Sequence, residues 1–204
     1  MGWVRGEKEI FMKIEIEQLR AIKFANQLAF AYLICERLYP NYVYFSKNFS
    51  FGNVDVLRES INCTKDIIIA GGINKDKILQ AINDVNINTP DTEDYQTIFV
   101  SSALDASCSI IETLEFSLDR EFERLSTIST FATDSVYMFV QSRDNLDFAS
   151  SNFERDILND PLMLREISIQ KKVISFLISN ESLKMSDIDF LMKLQGKSGN
   201  LNLY

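Results

Sequence analysis

Histidine is absent from the 204-residue chain. Without an imidazole there is no Ser-His-Asp or Cys-His relay and no ordinary His/Cys zinc site. The Glu-x-x-His pairs that hold di-iron centres in helical bundles are excluded as well. Cysteine is nearly absent too. Cys35, Cys63 and Cys108 stand far apart in helix-like stretches, which excludes a CxxC element, and an odd count does not make a disulfide framework. They read as small buried hydrophobes in a reducing compartment. Seven glycines and three prolines leave too little turn chemistry for an all-β fold with its many hairpins. No Gly-x-Gly-x-x-Gly or Walker-type phosphate loop occurs, so Gly71-Gly72 reads as a helix stop. The longest apolar run, around Leu28 to Cys35, ends at Glu36-Arg37, too short to span a bilayer. The N-terminus shows no cationic segment followed by an apolar one, so no secretion signal is expected and a cytoplasmic location is.

What remains is an ordinary globular composition, 46% apolar and 25% charged, enough for one domain with a full core. Helical spacing dominates it. A first helix is expected from about Glu15 to Leu38, stopped by Pro40, followed by a short aromatic helix from Tyr42 to Phe49. Asn53 is a good N-cap for Val54 to Ala70, and Asn74 for a shorter helix to about Val85. The polar stretch from Asn86 to Asp94, with Pro90, reads as a loop. Two longer helices follow, about Tyr95 to Ser117 and Arg120 to Gln141. After a further polar segment, Asp160-Pro161 supplies an N-cap and an N1 proline for a helix to about Ser179. Ser186 caps a last helix, Asp187 to Gln195. The expected fold is all-α, a single-domain bundle of about seven to eight helices.

Met12 opens the first amphipathic segment, whereas Gly2 to Phe11 has no clear period. Residues 12–204 are therefore expected to form the domain, with Met12 the natural start and 1–11 a leader-derived extension.

Carboxylates are the remaining candidates for chemistry. Glu112 and Glu115 form a Glu-x-x-Glu pair that could hold Mg²⁺ if a second acidic pair faced it. Asp144 and Asp147 are the nearest candidates, but they lie in a polar segment. Asp105, among Ala103, Leu104 and Ala106, is expected to be buried and hydrogen-bonded. A carboxylate-lined metal or small-ligand site from Glu112, Glu115 and Asp105 is one reading.

The charge pattern supports another. The net charge is −8, yet residues 84–160 carry 16 acidic residues against 4 basic ones, and each flanking segment is slightly positive. Much of the excess lies around Asp91, Glu93 and Asp94 and from Asp144 to Asp160. A field of that sign repels nucleic acid and anionic membrane and steers a cationic partner. It also serves solubility.

Cys35-Glu36-Arg37-Leu38-Tyr39-Pro40-Asn41-Tyr42, followed by Phe51-Gly52, resembles the hallmark of the bacterial YjaG-like family, a domain of unknown function. Ala103-Leu104-Asp105-Ala106-Ser107 and Asn159-Asp160-Pro161 leading into Ile169-Gln170 are similar to it as well. The resemblance implies an all-helical fold and brings no activity. It makes Glu36, Arg37, Pro40, Asn41 and Asp105 fold-defining positions. Arg37 is expected to bond carbonyls at the end of the first helix, and Glu36 to pair with a neighbouring helix.

Together these readings lead to a non-catalytic acidic binding protein without cofactor. The specific expectation is an immunity protein that masks the active site of a basic toxin, a nuclease in particular. Asp91, Glu93, Asp94, Asp144, Asp147, Glu154 and Asp156 would form its docking surface. The alternative is a housekeeping protein with the carboxylate-lined site.

Overall fold

A computed structural model describes residues 15–203. The Met12 start and most of the segment that leads into the first helix lie outside them. Among the described residues eight α-helices are complete: α1 Phe24–Phe49, α2 Val54–Ala70, α3 Lys75–Ile87, α4 Phe99–Asp119, α5 Glu123–Arg143, α6 Phe153–Leu158, α7 Pro161–Ser179 and α8 Met185–Gln195. No strand occurs among those residues, and none of their helices is long and apolar enough to cross a membrane.

Three of the caps read from sequence do their work where they were expected, whereas Ser186 lies inside α8, whose N-cap is Lys184 with its amide donating to the Asp187 carboxylate at 2.8 Å. The Asn53 side chain accepts from the Asp55 amide at 2.9 Å and Asn74 from Lys77 at 3.1 Å. Asp160 accepts from Leu162 at 2.8 Å, ahead of Pro161 at the first helical position. Each such cap satisfies an N–H that the helix leaves without a partner.

The first helix departs from expectation. A 3₁₀ turn at Gln18–Ala21 and Ile22 in extended conformation break the early segment, and α1 then runs unbroken through Pro40. Proline inside a helix removes one hydrogen bond and costs about 3 kcal/mol. That cost is offset because α1 is the axis of the molecule. It packs on α2, α4, α5, α7 and α8, and Leu28 to Cys35, Leu38, Tyr42 and Phe45 are all buried. Ending the helix at Pro40 would remove Tyr42 and Phe45 from that core, a loss of about 2 kcal/mol per large side chain. Tertiary burial outweighs the local rule. The segment Phe153–Leu158, read as polar loop, forms the short α6, because Phe153, Ile157 and Leu158 have a second small core to enter, with Val136, Val140, Met163 and Leu201.

Three pairs of contacts fix the directions. Phe24 meets the Phe116 ring and Tyr44 meets Phe99, so α4 runs antiparallel to α1. The Phe99–Phe139 ring contact and the Arg124–Glu112 ion pair do the same for α5 against α4. Asn26 donates to the Leu177 carbonyl at 2.9 Å while Arg37 meets Glu166, so α7 is antiparallel to α1. As a consequence, the start of α4 and the end of α5 share one end of the bundle.

Candidate functional site: an acidic end and a mixed-charge cleft

Two polar features lie at the surface and one lies inside. The internal one is built on Arg37. Its guanidinium donates to both oxygens of Glu166 at 2.7 and 2.8 Å, and Nη1 donates to Gln195 Oε1 at 3.0 Å. Gln170 donates to Glu166 at 2.7 Å and accepts from the Ser129 hydroxyl at 2.6 Å. Arg37 therefore does not cap helix-end carbonyls as expected. With Pro40 inside α1 there is no helix end beside it, and the side chain ties α1 to α7, α5 and α8 instead. Asn41 donates to Asn200 at 2.8 Å, and Asn200 donates to the Ala132 carbonyl at 2.9 Å. Gly199, at φ +72°, lets the C-terminal segment lie on the Pro40 turn, where a Cβ would come within 3.0 Å of Pro40 Cβ and 3.1 Å of the Arg37 carbonyl. Buried charges and amides bonded in this way hold the packing in one arrangement, although Asn41 Oδ1 itself has no hydrogen-bond partner among the described residues. Arg37 and Asn41 are thus internal structural positions.

The acidic end comes from helix polarity. The loop before α4 carries Asp91, Glu93 and Asp94, and the loop after α5 carries Asp144 and Asp147, all exposed. Because α4 and α5 are antiparallel, both loops emerge at the same end. Asp91 accepts from the Glu93 amide and Asp147 from the Ala149 amide, both at 2.9 Å, which shapes the two loops. Asp144 is paired with Arg143 at 2.5 Å, and that guanidinium holds its carboxyl below the usual range. Glu93, Asp94 and Asp147 make no ion pair among the described residues. Large apolar side chains stand exposed among these acids: Phe148 at 81% and Ile98 in the two loops, and Ile87 at 72% on the last turn of α3. Glu154 and Asp156 lie on the adjoining α6, and Asp160 just beyond it shares Arg143 with Asp144. Glu154 accepts from the Tyr137 hydroxyl at 2.8 Å, and Asp156 faces Arg155 at 3.7 Å.

The other carboxylates are committed elsewhere. Arg124 on α5 reaches Glu112 and Glu115 at 2.6 Å each and Asp119 at 2.9 Å. Its guanidinium stands where a cation shared by Glu112 and Glu115 would bind. Asp105 is half-buried and accepts from the Ser135 hydroxyl at 2.8 Å; burial pushes its carboxyl up to about 7. It is two turns from Glu112, and no cluster of three potential metal ligands occurs among the described residues.

The second surface feature is a cleft of about 690 Å³ between α1, α2 and α8. Glu36, Tyr39, Pro40 and Val43 form its α1 wall, and Arg58, Met192, Lys193 and Lys197 are among its other lining residues. Glu36 pairs with a neighbouring helix as expected: its Oε1 accepts from Arg58 Nη1 and from the Tyr32 hydroxyl, both at 2.8 Å. The Arg58 guanidinium lies 4.0 Å over the Tyr39 ring. Sequence reading missed the cleft, although its signal is present. Glu36, Tyr39, Pro40 and Val43 have the i, i+3, i+4, i+7 spacing of one helix face, visible only once the helix continues through Pro40.

A helical bundle wound around one central helix, with a buried ion pair between that helix and α7, is the class this architecture defines. The chain belongs to the DUF416 family, described as a protein of unknown function, whose model matches residues 15–203. It is 22% identical over 181 residues to Uncharacterized protein YjaG of Salmonella typhimurium, covering 87% of each chain. The YjaG protein of Escherichia coli K12 is 21% identical over the same length and coverage. A crystal structure of a DUF416 family protein from Shewanella baltica superposes with a TM-score of 0.82 at 20% identity, covering 91% of this chain and 96% of that one. That likeness carries the fold alone.

Proposed function

We propose that the protein is a binding protein that docks a basic protein partner on its acidic end, and that the partner is a toxin whose active site it masks. The observation that carries this reading is the convergence of the 91–94 and 144–147 acidic loops at one end of the bundle, with Phe148, Ile98 and Ile87 exposed between and beside them. Charge alone would serve solubility. Acids around exposed apolar side chains make a different surface, suited to a protein partner, because the charges speed encounter and the apolar groups supply contact area. An enzyme that cleaves nucleic acid needs a cationic active site. Such a site complements this end of the bundle, and an immunity protein would act on it in the cytoplasm of the producing cell.

Of the seven acids expected to dock, Asp91, Glu93, Asp94, Asp144 and Asp147 support this reading. Glu154 and Asp156, on α6, are assigned a flanking place at most. The test is inhibition of a toxin encoded beside this gene, assayed with purified proteins. A one-to-one inhibitory complex supports the reading. A neighbouring toxin that is neither bound nor inhibited contradicts it.

A further inference from the structure

We propose that the cleft between α1, α2 and α8 binds a small organic carboxylate with an apolar or aromatic body. The site is distinct from the acidic end, none of whose residues line it. Its volume of about 690 Å³ falls within the roughly 300–1,000 Å³ typical of small-molecule sites. Its walls provide the two things that such a ligand needs. Tyr39, Pro40, Val43 and Met192 offer apolar surface, and Arg58, Lys193 and Lys197 offer positive charge.

The balance of charge favours one negative group. Glu36 and Arg58 largely neutralise each other through their 2.8 Å ion pair. Asp189, Lys193 and Lys197 then leave a net single positive charge at the mouth, in a chain of net charge −8. Neither lysine makes an ion pair among the described residues. Arg58 is already oriented, with Nη1 fixed on Glu36 and its guanidinium carbon 4.0 Å over the Tyr39 ring, so little side-chain entropy is lost when it receives a carboxylate.

The same geometry disfavours phosphate. The lining contains no glycine-rich loop and no helix N-terminus. Gly196 stands instead at the C-terminus of α8, where the helix carbonyls carry partial negative charge. A dianion would be repelled there about twice as strongly as a single carboxylate, which the two lysines are enough to offset.

Nuclear magnetic resonance titration of the full-length protein tests the assignment, with phenylacetate as probe and phenylacetamide and inorganic phosphate as controls. Phenylacetate is expected to give saturable shifts confined to residues such as Tyr39, Val43, Met192 and Gly196. Affinity for the neutral amide should be weaker by about tenfold, the worth of two screened ion contacts. The exposed double variant Lys193→Gln/Lys197→Gln, which leaves the core untouched, should weaken phenylacetate by a similar factor and leave the amide unchanged. No saturable shift, equal binding of the amide, or the same residues responding to phosphate would each overturn the proposal.

Discussion

Arg37 and Glu166, each with a side chain 1% exposed, face one another across the α1–α7 interface through two parallel hydrogen bonds. The pair is sealed by Gln170 and Gln195, so neither charge has access to water. In such a site each charge depends on the other. Replacing Glu166 with Leu or Arg37 with Met leaves one buried charge uncompensated and should cost about 3–5 kcal/mol. The double replacement Arg37→Met/Glu166→Leu removes both charges and should cost clearly less than the sum of the single variants. Urea denaturation of the four proteins in a double-mutant cycle measures this, and additive losses would contradict the account.

Gly199 is predicted to be the sensitive point of the C-terminal segment. Its φ of +72° is strained for any side chain, and a methyl group would press on Pro40 at 3.0 Å and on the Arg37 carbonyl at 3.1 Å. Gly199→Ala should destabilise by about 1–3 kcal/mol, read as a lower midpoint in thermal unfolding. Gly71, also at positive φ but with nothing within 4 Å of its Cβ position, should lose only the backbone part.

Most of the fold was legible because its signals are local. Asn53, Asn74 and Asp160-Pro161 announce helix starts, and the boundaries of α2 and α7 follow from them. Pro40 was misleading because its local penalty is real and only the burial of Tyr42 and Phe45 overrules it, a fact of tertiary packing. The same residue hid the cleft, whose α1 wall crosses it. Sequence placed Arg37 at a helix end that does not form; Glu166 is 129 positions away, and no spacing rule links them. The acidic excess of residues 84–160 was visible, but its gathering at one end depends on α4 and α5 lying antiparallel.

Asp105 makes the protein sensitive to pH. Its folded carboxyl titrates at about 7 against an ordinary 3.8, because burial opposes its charge. Between those values the folded state holds a proton that the unfolded state has lost, so stability falls as pH rises from about 4 to about 7. Asp105→Asn keeps an acceptor for the Ser135 hydroxyl and removes the penalty. The variant should match the parent near pH 4 and exceed it by about 2 kcal/mol at pH 8. Denaturation at the two pH values checks this, and an equal difference at both would refute it.

Glu112 and Glu115 are expected not to bind Mg²⁺, because Arg124 already joins them. Isothermal titration should detect no site there in the parent protein. A magnesium site lost on changing both glutamates to Gln would restore the carboxylate-site reading of this helix.

The role of the acidic end is tested most directly by association kinetics. Asp91, Glu93, Asp144 and Asp147 are changed together to Lys, and stopped-flow mixing with the basic toxin proposed as partner is followed at low and at high salt. Long-range steering predicts that the charge-reversed protein associates at least about tenfold more slowly at low salt, with the difference shrinking as salt screens it. An association rate equal to the parent's at low salt would contradict the account.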